Sequence, residues 1–484
     1  MYLGLDLGTS GLKGMLIDAD QNTVGSANAP LQVLRPHAGC SEQDPASWIT
    51  AAEQVLDCLA QQFPAQMGAL KGIGLSGQMH GATLVDQAGK VIRPCILWND
   101  SRSHKEAAEL DAQPVFRALT GNIVFAGFTA PKLLWVQRHE PDNFARINKV
   151  LLPKDYLRLW LTGDYISDMS DSAGTSWLDV ARRDWSDALL AATGLTRAHM
   201  PALVEGNAIG GHLRDNLAAR WSLPKGIPVA GGGGDNAASA IGMGVVQAGQ
   251  AFISLGTSGV LFAANNAYLP SPESAVHTFC HALPDRWHQM GVILSATDSL
   301  EWFARIAGKP AAELTAELGD DLRPPATVQF LPYLGGERTP HNDAAMRGAF
   351  IGLSHDADCK TLTRAVLEGV AFAFCDNLAA LRSTGTEISR LLAVGGGVKS
   401  HYWLRVLATA LSMPIDIPDA GDFGAAFGAA RLGLMAATGD DPVTVCTPPV
   451  VAQTIHPDPS LTDAFADAYQ TYRAAYPALK GAPR

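Results

Sequence analysis

The pentapeptide LGTSG occurs twice in this chain, at Leu7–Gly11 and again at Leu255–Gly259. Apolar runs flank both copies: MYLGLD and LKGMLID around the first, AFIS and VLFAA around the second. Two such runs joined by Thr-Ser-Gly predict a β-hairpin. Two identical hairpins, one early and one near the middle, predict two related units. The length of 484 residues fits that reading, because it exceeds what one hydrophobic core supports. The expected boundary lies just before the second hairpin, giving domains at 1–245 and 246–484. Within each half, helical patterns such as PASWITAAEQVLDCLAQQF and LTRAVLEGVAFAFCDNLAALRS alternate with strand-like runs such as LKGIGLSGQ, IPVAGGGG and RLLAVGGG. That alternation is the signature of α/β architecture. The tail after Pro448 ends in a helical pattern expected to pack on the second domain.

Tight turns of small residues expose backbone N–H groups on one concave side, and Thr and Ser hydroxyls add donors, so such a nest suits a phosphate. Two of them, carrying Thr9 and Ser10 in one half and Thr257 and Ser258 in the other, could grip a polyphosphate from opposite sides. The flanks differ. Asp6 and Lys13 border the first copy, where the second has Ser254 and Leu261. Asp6 is a hard oxygen ligand suited to Mg²⁺, and Lys13 could balance charge on a transferred phosphoryl group. The plainer readings are a hairpin-end acid bonded to its own turn and an exposed strand lysine.

The formal net charge of −11 argues against a nucleic-acid partner. Seven cysteines, scattered and never in CxxC spacing, fit a reducing, cytoplasmic setting, and no secretory signal opens the chain. The uncharged stretch from Asn236 to Pro272 is chopped by Gln, Ser, Thr and Gly and reads as buried structure, not as a membrane helix. Asp235 follows four glycines at the start of a helical pattern, where an acid could simply cap N–H groups. The cluster His277, Cys280 and His281 lies in a strand-like run and reads as packing rather than as a metal site.

The hairpin pair, together with GFTAPKLLWVQRH (127–139), GGGGDNAASAIG (231–242), GERTP (336–340) and LLAVGGG (391–397), resembles the FGGY carbohydrate kinases, of the actin, hexokinase and Hsp70 (ribonuclease H-like) fold. The SGQMHG and WNDSR segments are similar to bacterial members that phosphorylate D-xylulose. The resemblance implies two related α/β domains around an interdomain cleft, with ATP and Mg²⁺ as cofactors and a ketose as small-molecule partner. It implies Asp235 as general base, Asp6 as catalytic and metal-holding acid, and Gln78, Met79 and His80 as sugar contacts. It places Thr9, Ser10, Lys13, Thr257, Ser258, Gly396 and Gly397 on ATP. Trp98, Asn99, Asp100 and Arg102 are hydroxyl-binding types in a loop that related kinases use for substrate. Glu337 and Arg338 read as a buried pair ordering a loop. Ribulose, gluconate and glycerol stay open as alternative acceptors, as do a non-kinase nucleotide-binding protein of the same superfold and a sugar sensor without activity. No membrane partner is expected, and a homodimer is compatible with the sequence.

Overall fold

A computed structural model describes residues 1–419 and 421–480. Strands β1 (Tyr2–Leu7) and β2 (Gly11–Ile17) form the first hairpin, with Asp6 opposite Lys13, and β3 (Thr23–Pro30) extends its open edge. Helix α1 (Pro45–Gln62) starts where Asp44 accepts the Ala46 N–H and proline occupies the first turn. It buries Trp48, Ala51, Ala52, Val55, Leu56 and Leu59, one stripe at helical spacing. The chain then returns as β4 (Gly72–Gly77), parallel to β1. β5 (Ile209–His212), β6 (Pro228–Ala230) and the two-residue β7 (Gly233–Gly234) complete a seven-stranded sheet of order β5-β6-β4-β1-β2-β3, with β7 paired to the end of β4.

The second sheet repeats this plan. Its strands are β8 (Ala251–Leu255), β9 (Gly259–Asn265), β10 (His277–Cys280), β11 (Trp287–Ile293), β12 (Leu391–Val394), β13 (Ile415–Pro418) and β14 (Val451–Ile455), in the order β10-β11-β9-β8-β12-β13-β14. β12 lies parallel to β8 as β4 does to β1, and β11 runs antiparallel to β9 as β3 does to β2. The two halves are therefore topological copies around their hairpins.

The copies differ in one respect that the sequence does not disclose. Leu7 pairs with Leu12 in the first hairpin, whereas Leu255 pairs with Gly259 in the second. The same five letters thus close on registers one residue apart. As a result, Val260, not Leu261, stands opposite Ser254.

Between β4 and β5 lies a largely helical insertion that includes α2 (Thr129–His139) and α3 (Pro153–Thr162). Its apolar side chains share one core with Phe252, Phe262, Phe279 and Met290 of the second sheet, so the halves interlock. α4 (Asp235–Gly242) follows β7 directly. In the second half, α5 (Cys359–Arg382) and α6 (His401–Leu411) pack on the sheet. α7 (Ala425–Thr438) instead crosses back to lie on β1 and β4 and against α4. The approach is at backbone distance. A Cβ on Gly74 would fall 1.7 Å from Ala429 O, and one on Gly428 would fall 1.7 Å from Ala238 O. The final helix α8 (Thr462–Lys480) packs on the second half, against α5 and α6.

Candidate active site

Three parallel strand ends converge beside the first hairpin. The pairing sets Asp6 next to Ser76 and Ser76 next to Gly233, and Asp235 is the first residue after β7. The carboxyl ends of strands in open α/β sheets are where ligands bind. Asp235 does not occupy the cap position, which falls to Gly234 with no side chain to offer. Its Oδ1 accepts from the Asn236 N–H (2.7 Å) and from Asn236 Nδ2 (2.9 Å), and no described residue hydrogen-bonds its Oδ2. Asp6 Oδ1 is buried without a hydrogen-bond partner. Burial first, and then the charge of Asp235, push the Asp6 carboxyl up to about 6, against the opposing pull of Ser76 and Lys13. Burial also raises Asp235, with its bonds to Asn236 pulling the other way. Two dehydrated carboxylates that repel each other, each with an oxygen no described residue bonds, fit a hard divalent cation. Among the described residues no group of three or more His, Cys, Asp or Glu side chains is placed to hold a metal ion, so a cation here would complete its shell with phosphate oxygens and water.

The glycines before Asp235 have steric work. Gly232 adopts φ 82°, and a Cβ there would lie 2.5 Å from Leu75 O; one on Gly234 would lie 2.8 Å from Met79 Cγ. A fully buried polar cluster holds this loop from below. The Gly234 N–H donates to Ser170 Oγ (3.1 Å), and Ser170 Oγ in turn donates to Asp168 Oδ2 (2.5 Å). Lys154 Nζ stands 2.7 Å from Asp168, 2.5 Å from Asp155 and 3.4 Å from Asp171, and Arg158 donates to Gly231 O (2.6 Å). Burial opposes the Lys154 charge, but the three aspartates outweigh it and hold the amine protonated. The sequence reading missed this cluster. The only available signal was SDMSDSAGT, whose acids are spaced like helix caps, and Asp168 does cap a short helix.

Met79 and His80 fall on the turn after β4. The His80 ring stacks on Phe128 with centroids 4.6 Å apart, and its Nδ1 is 2.7 Å from Gly174 O. A carbonyl only accepts, so Nδ1 carries the hydrogen and Nε2 is a bare acceptor. Burial, helped by the charge of Lys132, holds the ring down to about 3, so it stays neutral. Lys132 donates to the backbone carbonyls of His80 and Gly127 (2.7 Å each), which fixes the turn in its left-handed conformation, φ 68° at His80.

Gln78 departs from expectation. It is buried, its Oε1 accepts from Thr9 Oγ1 (3.0 Å) and its Nε2 donates to Gln43 (2.9 Å). Its amide braces the first hairpin and is not presented to a sugar. Thr9 is likewise engaged, since its hydroxyl also accepts from Trp98 Nε1 (2.9 Å). The Ser10, Thr257 and Ser258 side chains are exposed at the turns. Asp100 and Arg102 are spent on each other, with Asp100 also taking the Ser41 N–H and Arg102 also reaching Glu42. Lys13 forms an ion pair with Asp422, a link from the first hairpin to the second half.

Gly395 to Gly397 abut the base of the second hairpin. At Gly395, φ is 99° and a Cβ would fall 2.6 Å from Leu255 O; at Gly396 a Cβ would meet nothing within 4 Å, which leaves open space beside the loop. Glu337 is buried and accepts from the backbone N–H groups of Leu294 and Arg338, while the Arg338 guanidinium lies elsewhere, over Phe125 and beside His277. His277 lies in β10 against Arg338, and His281 Nε2 meets Val245 O.

Known proteins resemble this chain along its whole length. The chain is 48% identical to the xylulose kinase of Escherichia coli (strain K12), with 99% of each chain covered, and 46% identical to that of Klebsiella pneumoniae over the same shares. A crystal structure of a xyloylose kinase from Brucella ovis superposes with a TM-score of 0.98 at 66% identity, and a xylulose kinase from Rhodospirillum rubrum with 0.92 at 30%, each with 99% of both chains covered. The N-terminal-domain model of the FGGY family of carbohydrate kinases matches residues 1–242 and the C-terminal-domain model matches 251–437. Two topologically equivalent sheets, a carboxylate pair at the strand ends and matches along the whole length lead to one conclusion: the chain belongs to the FGGY family of carbohydrate kinases.

Proposed function

We propose that this protein transfers the terminal phosphoryl group of ATP to D-xylulose, giving D-xylulose 5-phosphate in the cytoplasm. The observation that carries the reading is the juxtaposition of Asp6 and Asp235 at adjoining strand ends, beside a turn that offers a neutral His80. The full-length likeness to xylulose kinases supports the choice of sugar. Seven unpaired cysteines support a reducing compartment.

Asp235 serves as general base. An alcohol proton near the ~16 of water cannot be removed beforehand by a carboxylate near ~4. Asp235 therefore accepts it late, as the new bond to phosphorus forms, while its free Oδ2 aims the hydroxyl in line. Burial, which raises its proton affinity, favours that transfer. His80 Nε2 accepts from a second sugar hydroxyl and Met79 packs the carbon chain against Gly234. Asp6 would hold Mg²⁺, which when bound neutralises charge developing on the phosphates. The exposed Ser10, Thr257 and Ser258 and the turn amides of both hairpins cradle the nucleotide phosphates. Lys13 joins them by leaving Asp422. The open face at Gly396 takes the adenosine part.

A coupled ADP-release assay with D-xylulose, D-ribulose, glycerol and gluconate tests this reading. Release dependent on D-xylulose and well above the other three is expected. Equal release without sugar would overturn it.

A further inference from the structure

Arg338 is a partly buried cation that forms no ion pair among the described residues. Its guanidinium lies over the Phe125 ring, Cζ 3.9 Å from the centroid, and Nη1 is 3.3 Å from His277 Nε2. The one acid whose charge bears on it is the neighbouring Glu337, whose carboxyl burial pushes up to about 8 and whose bonds go to backbone N–H groups and not to the guanidinium. Burial draws the guanidinium down to about 10, which leaves it charged. Drawing a cation partly out of water without an ion pair is costly, and it leaves donors of the fork free for a ligand. Of the five N–H groups of the fork, one faces His277.

The surroundings indicate what the others face. Starting from Asp235, the wall runs through Met79, which lies against Gly234, to His80 against Gly174, and then to Phe128. Phe128 neighbours Phe125 (5.6 Å) and His277 (5.8 Å), the two rings that Arg338 touches. Its charge reaches far enough to help keep His80 neutral. Base and guanidinium thus stand at opposite ends of one wall, the base from the first half and the cation from the second. The loop bearing Arg338 is rigidly held. Glu337 takes two N–H groups, Thr339 Oγ1 takes the Val292 N–H (3.0 Å), and the Tyr333 hydroxyl meets that of Tyr472 on α8 (3.0 Å).

We propose that Arg338 is a specificity-determining residue that closes the sugar pocket opposite Asp235 and donates hydrogen bonds to the carbonyl end of a ketose. This rests on the functional reading above, in which Asp235 faces the hydroxyl at the other end of a five-carbon chain. The carbonyl oxygen and the adjoining terminal hydroxyl are two neighbouring acceptors, a spacing the planar fork matches and a single ammonium does not. A polyol of the same length lacks the carbonyl.

The test compares wild type, Arg338→Met and Arg338→Lys in the ADP-release assay with D-xylulose and with xylitol as substrate or competitive inhibitor, with melting temperatures measured alongside. Arg338→Met is expected to raise KM for D-xylulose by about 10- to 100-fold, with a smaller effect on xylitol, so that the preference for the ketose shrinks. Arg338→Lys should recover part of it. An unchanged KM in folded Arg338→Met, an equal loss on both compounds, or a loss in kcat alone would each overturn the proposal. Should the Met variant not fold, Arg338→Lys decides: a lowered ketose-to-polyol preference supports the assignment and a wild-type preference refutes it. Wild type that releases no sugar-dependent ADP would sink the functional reading itself, whereas active wild type with unaltered variants would sink only the role of Arg338.

Discussion

Replacing Asp6 with asparagine should make the protein more stable and less active at the same time. The Asp6 carboxyl stands at about 6 in the folded protein against 3.8 for an unstrained aspartate, because burial and the Asp235 charge oppose its ionisation. For an acid whose folded pKa is raised, the folded state binds more protons than the unfolded one between those two values. Stability therefore falls as pH rises from about 4 to about 6, and the full cost persists above that window. A shift of about two units corresponds to about 3 kcal/mol at most, at ~1.4 kcal/mol per unit. Asparagine keeps the shape without the charge. At pH 8, Asp6→Asn should gain about 1–3 kcal/mol, read as a rise of a few degrees in melting temperature; at pH 4 the gain should vanish. Sugar-dependent ADP release should drop by at least ~100-fold, the scale for removing one electrostatic stabiliser of a developing charge. MgATP should raise the melting temperature of wild type but much less that of the variant. If Asp6→Asn melts below wild type at pH 8, or if its gain is the same at pH 4 and pH 8, burial and the Asp235 charge do not make ionised Asp6 costly and the argument fails.

Three further outcomes follow from the geometry. Asp235→Asn should keep KM for D-xylulose within a few-fold and lower kcat by ~10²–10⁴, measured by ADP release, since it retains a hydrogen-bonding side chain but cannot take a proton. The plot of log kcat/KM against pH should fall with unit slope below about 6, as Asp6 protonates in the free enzyme, and His80 should contribute no inflection between pH 5 and 9. Ser170→Ala removes the acceptor of the Gly234 N–H, leaving a buried donor unpaired. A loss of about 1–3 kcal/mol in denaturant unfolding, together with a lower kcat, is expected.

The parts of this structure written in local sequence were legible there. Both hairpins, α1 with its apolar stripe, α5, α6 and the strand-to-helix turn at Asp235 each depend on residues close in the chain, where periodicity and turn chemistry operate. What escaped depends on contacts between distant segments. Gln78 reads as a sugar contact by its place beside Met79-His80, but Thr9 and Gln43, both far away in sequence, claim its amide. Lys13 reads as a phosphate ligand, yet Asp422 sits on it. The identical LGTSG turns close on registers one residue apart, a difference that the pentapeptide, being the same in both, cannot encode. The Lys154 cluster is spread over three elements, each of which looks like ordinary helix capping by itself.

The glycine-lined seat of α7 has a mechanical corollary. With main chain lying against main chain at Gly74 and Gly428, that helix cannot slide or tilt without collision, so it serves as an axle fastened to the amino-terminal sheet. A fragment ending at residue 245 would accordingly emerge with a strip of bare backbone along Gly4, Gly72 and Gly74, ready to stick to whatever it meets.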